Sequence, residues 1–269
     1  MKNQQEFPLT SKKDSEKKVV QTTADLVAWS IGASITLIGT SLSVIGGNIF
    51  AVVFSRVLGE LAERFLSNRE NARVGFAASL MIKGVQDKID KNITVRQDDF
   101  FSKDQTNRSR ADEICEGVLI KCKNEYEEKK ILYVSNIYKN VAFDSSVNPD
   151  NANQILNSVE RFSYRELLIL AMVGQNIENK LSLRINNFRD NYAEVHTNLE
   201  FLLQDFFSLH SQGLITRNDN TAILDTSDIA PAIMKLTLIG NDYFKLLDLN
   251  TIPISEFYFL RDLDTTPAP

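Results

Sequence analysis

Cys115 and Cys122, His196 and His210, and the run Glu125, Glu127, Glu128, Lys129 and Lys130 are the side chains whose types and spacing could do chemistry. The cysteines lie seven apart on a predicted helix, which puts them on one face with Cα atoms about 10 Å apart, too far for a disulfide. The chain has two histidines, both distant in sequence from the cysteines. A Cys/His zinc set is therefore not expected, and the cysteines read as buried, reduced thiols. His196 and His210, fourteen apart on one helical stretch, would stand about 21 Å apart and could not share a metal. The mixed Glu/Lys run reads as a solvated helical face with pairs at i and i+4 rather than an acid/base site. No nucleophile elbow, phosphate loop, dinucleotide fingerprint or metalloprotease motif occurs. The expectation is no enzyme, with no catalytic residue, metal or cofactor.

The elements that would position these side chains are mostly helical. In 269 residues, 43% apolar and 24% charged usage is ordinary for a globular chain, and a formal charge of −5 argues against a general nucleic-acid coating role. Five segments follow from the patterning. They are a polar, Lys-rich arm over 1–24, a hydrophobic Gly/Ser-rich helix over 25–56, a helical domain over 57–162, a winged-helix-like module over 163–249 and a tail over 250–269. The fold class expected is mostly α, with a helical N-terminal and central region and a C-terminal α+β module.

From Leu26 to Ser55 no residue is charged, a run of 30 and long enough for a bilayer, which needs about 20 residues. The turn signal Gly46-Gly47-Asn48 divides it, so only Leu26 to Ile45 would span. On a helix Gly32, Thr36, Gly39, Ser43 and Gly46 fall within about 80° and form a stripe of small side chains suited to close helix contact. Ser34, Ser41 and Asn48 make a narrow polar line on the other side. Two such stripes suit a membrane-associated helix that packs against copies of itself; the other reading is a central helix buried in a soluble bundle, where glycine allows tight crossing.

Beyond the run, Val57, Leu61, Phe65, Val74, Leu80 or Met81, and Val85 mark one or two amphipathic helices. A polar loop follows with Phe100 and Phe101, read as an anchor to the core or as a contact for a partner. Ser109 with Asp112 forms a capping box that opens the longest predicted helix, with a buried stripe of Ile114, Val118, Cys122, Tyr126, Val134, Ile137 and Val141. Asn148 and Pro149 restart a helix, Ser163 with Glu166 caps the next, and everything from 57 to 173 reads as helical. After a helix ended by Gly213, the stretches TAILDT and IMKLTLIG read as strands and NDYFKLLDL as a helix capped by Asn241. That order suits a winged helix. From Thr197 to Gly213, where its recognition helix would lie, there is no Lys or Arg, so protein rather than DNA is the expected partner.

The phrases RFLSNRENARVG, RQDDFF, ADEICEGVLIKCKNEYEEKKILYVSNIYKNVAFD and ANQILNSVERFSYRELLILAMV, with LTLIG after them, resemble a group of uncharacterised bacterial proteins. Across about residues 64 to 247 the order also resembles, more loosely, the abortive-infection alpha family of phage defence, with Ser135 to Phe143 as the counterpart of its "anLla"-type stretch. The resemblance implies a bacterial, cytosol-facing protein that halts growth on infection, and it carries over no catalytic residue. The expected function is a self-associating effector at or in the inner membrane. Its expected partners are copies of itself, the membrane and a protein trigger. The alternative is a soluble cytosolic adaptor or regulator whose winged-helix module binds a protein.

Overall fold

The computed structural model describes residues 34, 48–64, 66–179, 183–189, 192 and 195–257. Helix α1 (Asn48–Ala62) buries Phe50, Val53, Phe54, Val57, Leu58 and Leu61, one stripe at helical spacing. The end of the uncharged run, from Asn48 to Ser55, thus belongs to a helix whose inner face is protein core. Helix α2 (Asn68–Asp90) opens on a capping box in which Ser67 Oγ accepts from Glu70 N at 3.3 Å and Glu70 Oε2 accepts from Ser67 N at 2.8 Å. Its residues Val74 to Ser79 are all buried, so this middle stretch is enclosed on every side. No helix among the described residues is long and apolar enough to cross a membrane.

Helix α3 (Arg110–Asn124) packs on both α1 and α2 and begins at the expected Ser109/Asp112 capping box. It is shorter than its hydrophobic period suggests. The stripe predicted to continue through Tyr126 stops, and Tyr126 is 81% exposed. Glu125 leaves helical geometry at ψ 117° because its carboxylate turns inward: Oε2 pairs with Lys130 Nζ at 2.6 Å and Oε1 accepts from Glu127 N at 2.9 Å. A single 3-10 turn, Glu128–Lys130, redirects the chain into the short helices α4 (Ile131–Val134) and α5 (Asn136–Ala142). The longest described helix is therefore α2, and non-helical turns interrupt the expected helical stretch from 57 to 173.

Helix α6 (Pro149–Val159) starts as expected, with Asn148 Oδ1 accepting from Asp150 N at 2.9 Å and proline in the first turn. Helix α7 (Tyr164–Asn179) follows the reciprocal pair Ser163 N to Glu166 Oε2 at 2.8 Å and Glu166 N to Ser163 Oγ at 3.1 Å.

Helix α8 (Thr197–Ser211) ends at Gly213, whose φ of +73° is the left-handed turn that glycine adopts without strain. Gly213 N donates to His210 O at 2.8 Å and Leu214 N to Leu209 O at 3.0 Å, the paired bonds of a Schellman end. Strand β1 (Ile215–Arg217) then pairs antiparallel with β2 (Met234–Leu236), Thr216 facing Lys235. Helix α9 (Leu238–Leu246) is the last described α-helix, and two 3-10 turns, Leu249–Thr251 and Ile254–Glu256, follow it.

Three details differ from the sequence reading. TAILDT is not a strand: Asp225 Oδ1 accepts from Ser227 N at 2.8 Å and folds the segment into a 3-10 turn, Thr226–Asp228. Two short strands stand where more strand was expected, since Thr237 starts a helix rather than extending β2. The cap of α9 is Thr237, not Asn241; Thr237 Oγ1 accepts from Gly240 N at 3.0 Å and donates to Gly213 O at 2.6 Å.

One apolar cluster runs from Phe50 to Phe257 and joins the helical body to the C-terminal region. At the seam, Asn136 Nδ2 donates to Leu247 O at 3.1 Å, and Asn140 Nδ2 donates to Leu246 O at 3.0 Å and Asp248 Oδ1 at 2.8 Å. Gln175 Nε2, in α7, reaches Leu249 O at 2.9 Å and Ile252 O at 3.1 Å. Asn136 and Asn140, both in α5, are thus the two asparagines that hold the end of α9.

Candidate functional site

The residues with the most chemistry in the sequence come together around the turn from 125 to 130, but not as a solvated helical face. Glu125 and Lys130 are both buried, and Lys130 Nζ also donates to Glu160 O at 3.4 Å. Glu128 receives Arg69 Nε at 2.6 Å and Arg73 Nε at 3.0 Å. Glu127 Oε2 accepts from Tyr164 N at 3.0 Å, so it stands at the positive end of α7. Lys129 pairs with Glu256 at 2.9 Å and lies 5.2 Å from the centre of the Tyr164 ring. Tyr164 stacks on Tyr133 at 6.2 Å, and burial pushes both phenols up, so both stay neutral near pH 7. Each of these carboxylates meets a cation or a backbone N–H. The arrangement is a structural junction of the 125–130 turn with α2, α4, α7 and the residues at 160 and 256, and its carboxylates are all engaged.

The other candidates are also accounted for by local structure. Cys115 and Cys122 are free and buried, and burial pushes both thiols far above their ordinary value. A thiol in that state is not a nucleophile. His196 caps α8 instead of lying within it, with Nδ1 accepting from Leu199 N at 3.2 Å. His210 Nδ1 lies 3.0 Å from Ile215 O at the other end. Among the described residues no cluster of His, Cys, Asp or Glu could hold a metal.

The loop with the paired phenylalanines is anchored. Phe100 is fully buried, Phe101 is half-buried, and their rings meet edge to face at 4.9 Å. Phe101 also meets Phe50 of α1 at 5.4 Å, and the Arg96 guanidinium covers Phe100 at 4.5 Å. Arg96 Nη1 donates to Val141 O at 3.1 Å and Val147 O at 3.2 Å, which ties the loop to α5 and the turn after it. A buried Phe100 has no face left for a partner.

Of the small-residue stripe and polar line, Gly32, Thr36, Gly39, Ser43, Gly46 and Ser41 lie outside the described residues. Ser34 is buried, and its hydroxyl donates to Gly75 O of α2 at 2.8 Å. Asn48 is the first residue of α1.

The C-terminal region turns a different surface outward. Thr197, Phe201, Gln204 and Ser211 of α8 are exposed at helical spacing, Phe201 by 60%. The acids of that helix are engaged: Asp205 pairs with Arg165, and Glu200 accepts from Thr226 Oγ1 at 3.2 Å. Exposed apolar side chains also occur at Leu224, in the β1–β2 connection, and at Leu238 and Ile239 in the first turn of α9. Arg217 at the strand end is held by Asp219 at 2.6 Å and Asp228 O at 2.8 Å, and Arg189 is bonded to Asp228. The surface made by α8, the β1–β2 hairpin and the first turn of α9 therefore carries many uncharged and apolar groups, with Lys235 an exposed cation on β2. No residue in the sequence reading pointed to Phe201 or Leu224, although Phe201 could have been found as the apolar residue on the polar side of α8.

Compared with known proteins, the chain matches no family model, no curated protein and no solved structure.

Proposed function

We propose that this protein is a non-enzymatic adaptor or regulator in which α8, the β1–β2 hairpin and α9, read as a winged helix, dock a protein partner. The observation that carries this reading is the outward face of α8, which has an exposed Phe201 and no lysine or arginine. Aromatic anchors concentrate interface energy, whereas phosphate contact needs cations. The test is a comparison of wild type with Phe201→Asp. The variant should keep its thermal midpoint and lose a cross-linked or co-purified partner that the wild type holds, while neither binds duplex DNA at low salt. Salt-dependent DNA binding by the wild type would overturn the reading.

A second reading keeps the phage-defence effector suggested by the loose family resemblance. It is supported by the uncharged run from Leu26 to Ser55 and by Ile49 and Val52, both exposed on α1 where that run ends. In this reading copies pack through Gly32, Gly39 and Gly46 and act at the inner membrane. Carbonate-resistant pelleting of expressed protein, and loss of self-assembly and toxicity in Gly39→Leu, are its expected results. Protein that stays wholly in the supernatant would exclude it.

A further inference from the structure

A cavity of about 230 Å³ at the seam between the helical body and α9 is lined by Lys88 and Lys245 and by Asp144 and Asp242, so its charges offset one another and select no ligand. The core beneath α1 holds a more definite feature. Two polar side-chain atoms there, Asp112 Oδ1 of α3 and Tyr138 OH of α5, are buried and have no hydrogen-bond partner among the described residues.

The two oxygens of Asp112 are treated unequally. Oδ2 accepts from Arg56 Nη1 at 2.7 Å, from Ser109 N at 2.8 Å and from Ser109 Oγ at 2.9 Å. Oδ1 accepts from no protein group, although a carboxylate oxygen taken out of water keeps a strong demand for a donor. Tyr138 meets the rings of Phe50 and Phe54 of α1 at 6.3 and 5.2 Å, and these give its hydroxyl no acceptor. The titratable groups that act on its phenol are Cys115 and Asp112, three residues apart on α3 and so on one face of that helix. Helix α3 packs on α5, and burial keeps the phenol protonated and able to donate. Buried polar atoms without a partner are rare in folded proteins, and a pair of them on two packed helices marks a shared third partner.

We infer that Asp112 Oδ1 and Tyr138 OH together hold one buried water, which donates to the carboxylate oxygen and accepts from the phenol. The partners set the class of ligand. An anion would meet the Asp112 carboxylate itself, and a cation would meet Arg56, already paired with it. A neutral molecule that both donates and accepts fits, and between packed helices it is as small as water. The water joins α1, which reaches Asp112 through Arg56, to α5, whose Asn136 and Asn140 hold the end of α9.

The test compares the full chain with Tyr138→Phe, which removes the hydroxyl and keeps the ring beside Phe50 and Phe54. A buried hydroxyl with no partner is better absent, so its removal would raise the thermal midpoint. A hydroxyl bonded to water makes the midpoint fall, by about 2–4 °C for one hydrogen bond in a chain of this size. Magnetic relaxation dispersion of the solvent, which counts long-lived internal waters, should find one fewer in the variant. A crystal structure of the full chain should show that water within about 3.2 Å of both atoms. A raised midpoint, an equal count of internal waters in the two proteins, or a direct bond from Tyr138 OH to Asp112 Oδ1 in the crystal overturns the inference. No partner protein or membrane enters these measurements, so their result is independent of both functional readings.

Discussion

The body from α1 to α6 and the region from α7 to Phe257 close in different ways. In the body, side chains at helical spacing fill one core, and reciprocal boxes at Ser67 and Ser109 fix where helices begin. In the C-terminal region the contacts that set geometry are side chain to main chain, such as Gln175 and Thr237 on carbonyl oxygens and Asn140 of α5 reaching across the seam, together with a close backbone approach at Gly240. A body held by apolar burial yields gradually to truncation, because each side chain is one of many. The C-terminal region shares in the same apolar cluster, but where it also depends on a few directed contacts it fails at particular residues. Arg96 on the Val141 and Val147 carbonyl oxygens is one exception in the body, and the buried Glu125–Lys130 pair, a directed contact set in its core, is another.

That exception should give the largest effect. Lys130→Met leaves Glu125 buried without its cation and is expected to destabilise by about 3–5 kcal/mol, with Glu125→Gln in the same chain restoring much of the loss. Urea midpoints of the two single variants and the double variant measure it; additive losses would make the body uniformly apolar in its energetics.

Next is Gly240→Ala. A Cβ there would stand 1.9 Å from Leu214 O, and backbone cannot swing aside as a side chain can. A loss of about 3 kcal/mol is expected. Hydrogen exchange should locate it in β1, β2 and α9 and leave α2 protected. Equal deprotection of both regions would erase the contrast between them.

Asn140→Ala removes the amide shared by Lys245 O, Leu246 O and Asp248 and should cost about 2 kcal/mol. Ser109→Ala, which removes a helix cap in the body, should cost about 1 kcal/mol. Thermal midpoints in that order would support a seam that depends more on single polar groups than the body does.

The smallest effect is in pH. The Arg96 side chain bonded to Asp98, and the Ser146 hydroxyl bonded to Asp144, hold both carboxyls below their ordinary value of 3.8. A lowered folded pKa adds stability that is fully present above the unfolded value and is lost as pH falls through the folded one. The thermal midpoint should therefore hold steady near neutrality and decline below about pH 4, with a shallower decline in Asp98→Asn.

Helix starts were legible because the caps are local: Ser109 with Asp112, Asn148 with Pro149, Ser163 with Glu166, and the glycine end at Gly213 each need only neighbours in the chain. The break after Asn124 was not. Glu, Lys and Tyr continue a helical period through 130, and only the inward pairing of Glu125 with Lys130 decides against it. The strand-like TAILDT was misleading for a similar reason, since Asp225 and Asp228 bond backbone N–H groups and compete with strand pairing. The cavity at the seam was beyond sequence reading altogether. Its parts come from residues near 88, 147 and 245, and nothing local marks them as neighbours. The anchor role of Phe100 was legible, because a pair of aromatics in a polar loop has few other places to go.

Asn136 and Asn140 recognise carbonyl oxygens at the end of α9, groups that every amino acid carries. Mutational drift along the outer surface of α9 therefore leaves their grip intact. Leu238, Ile239, Asp242 and Lys245, all exposed there, form a surface whose side chains can change without remaking the joint beneath.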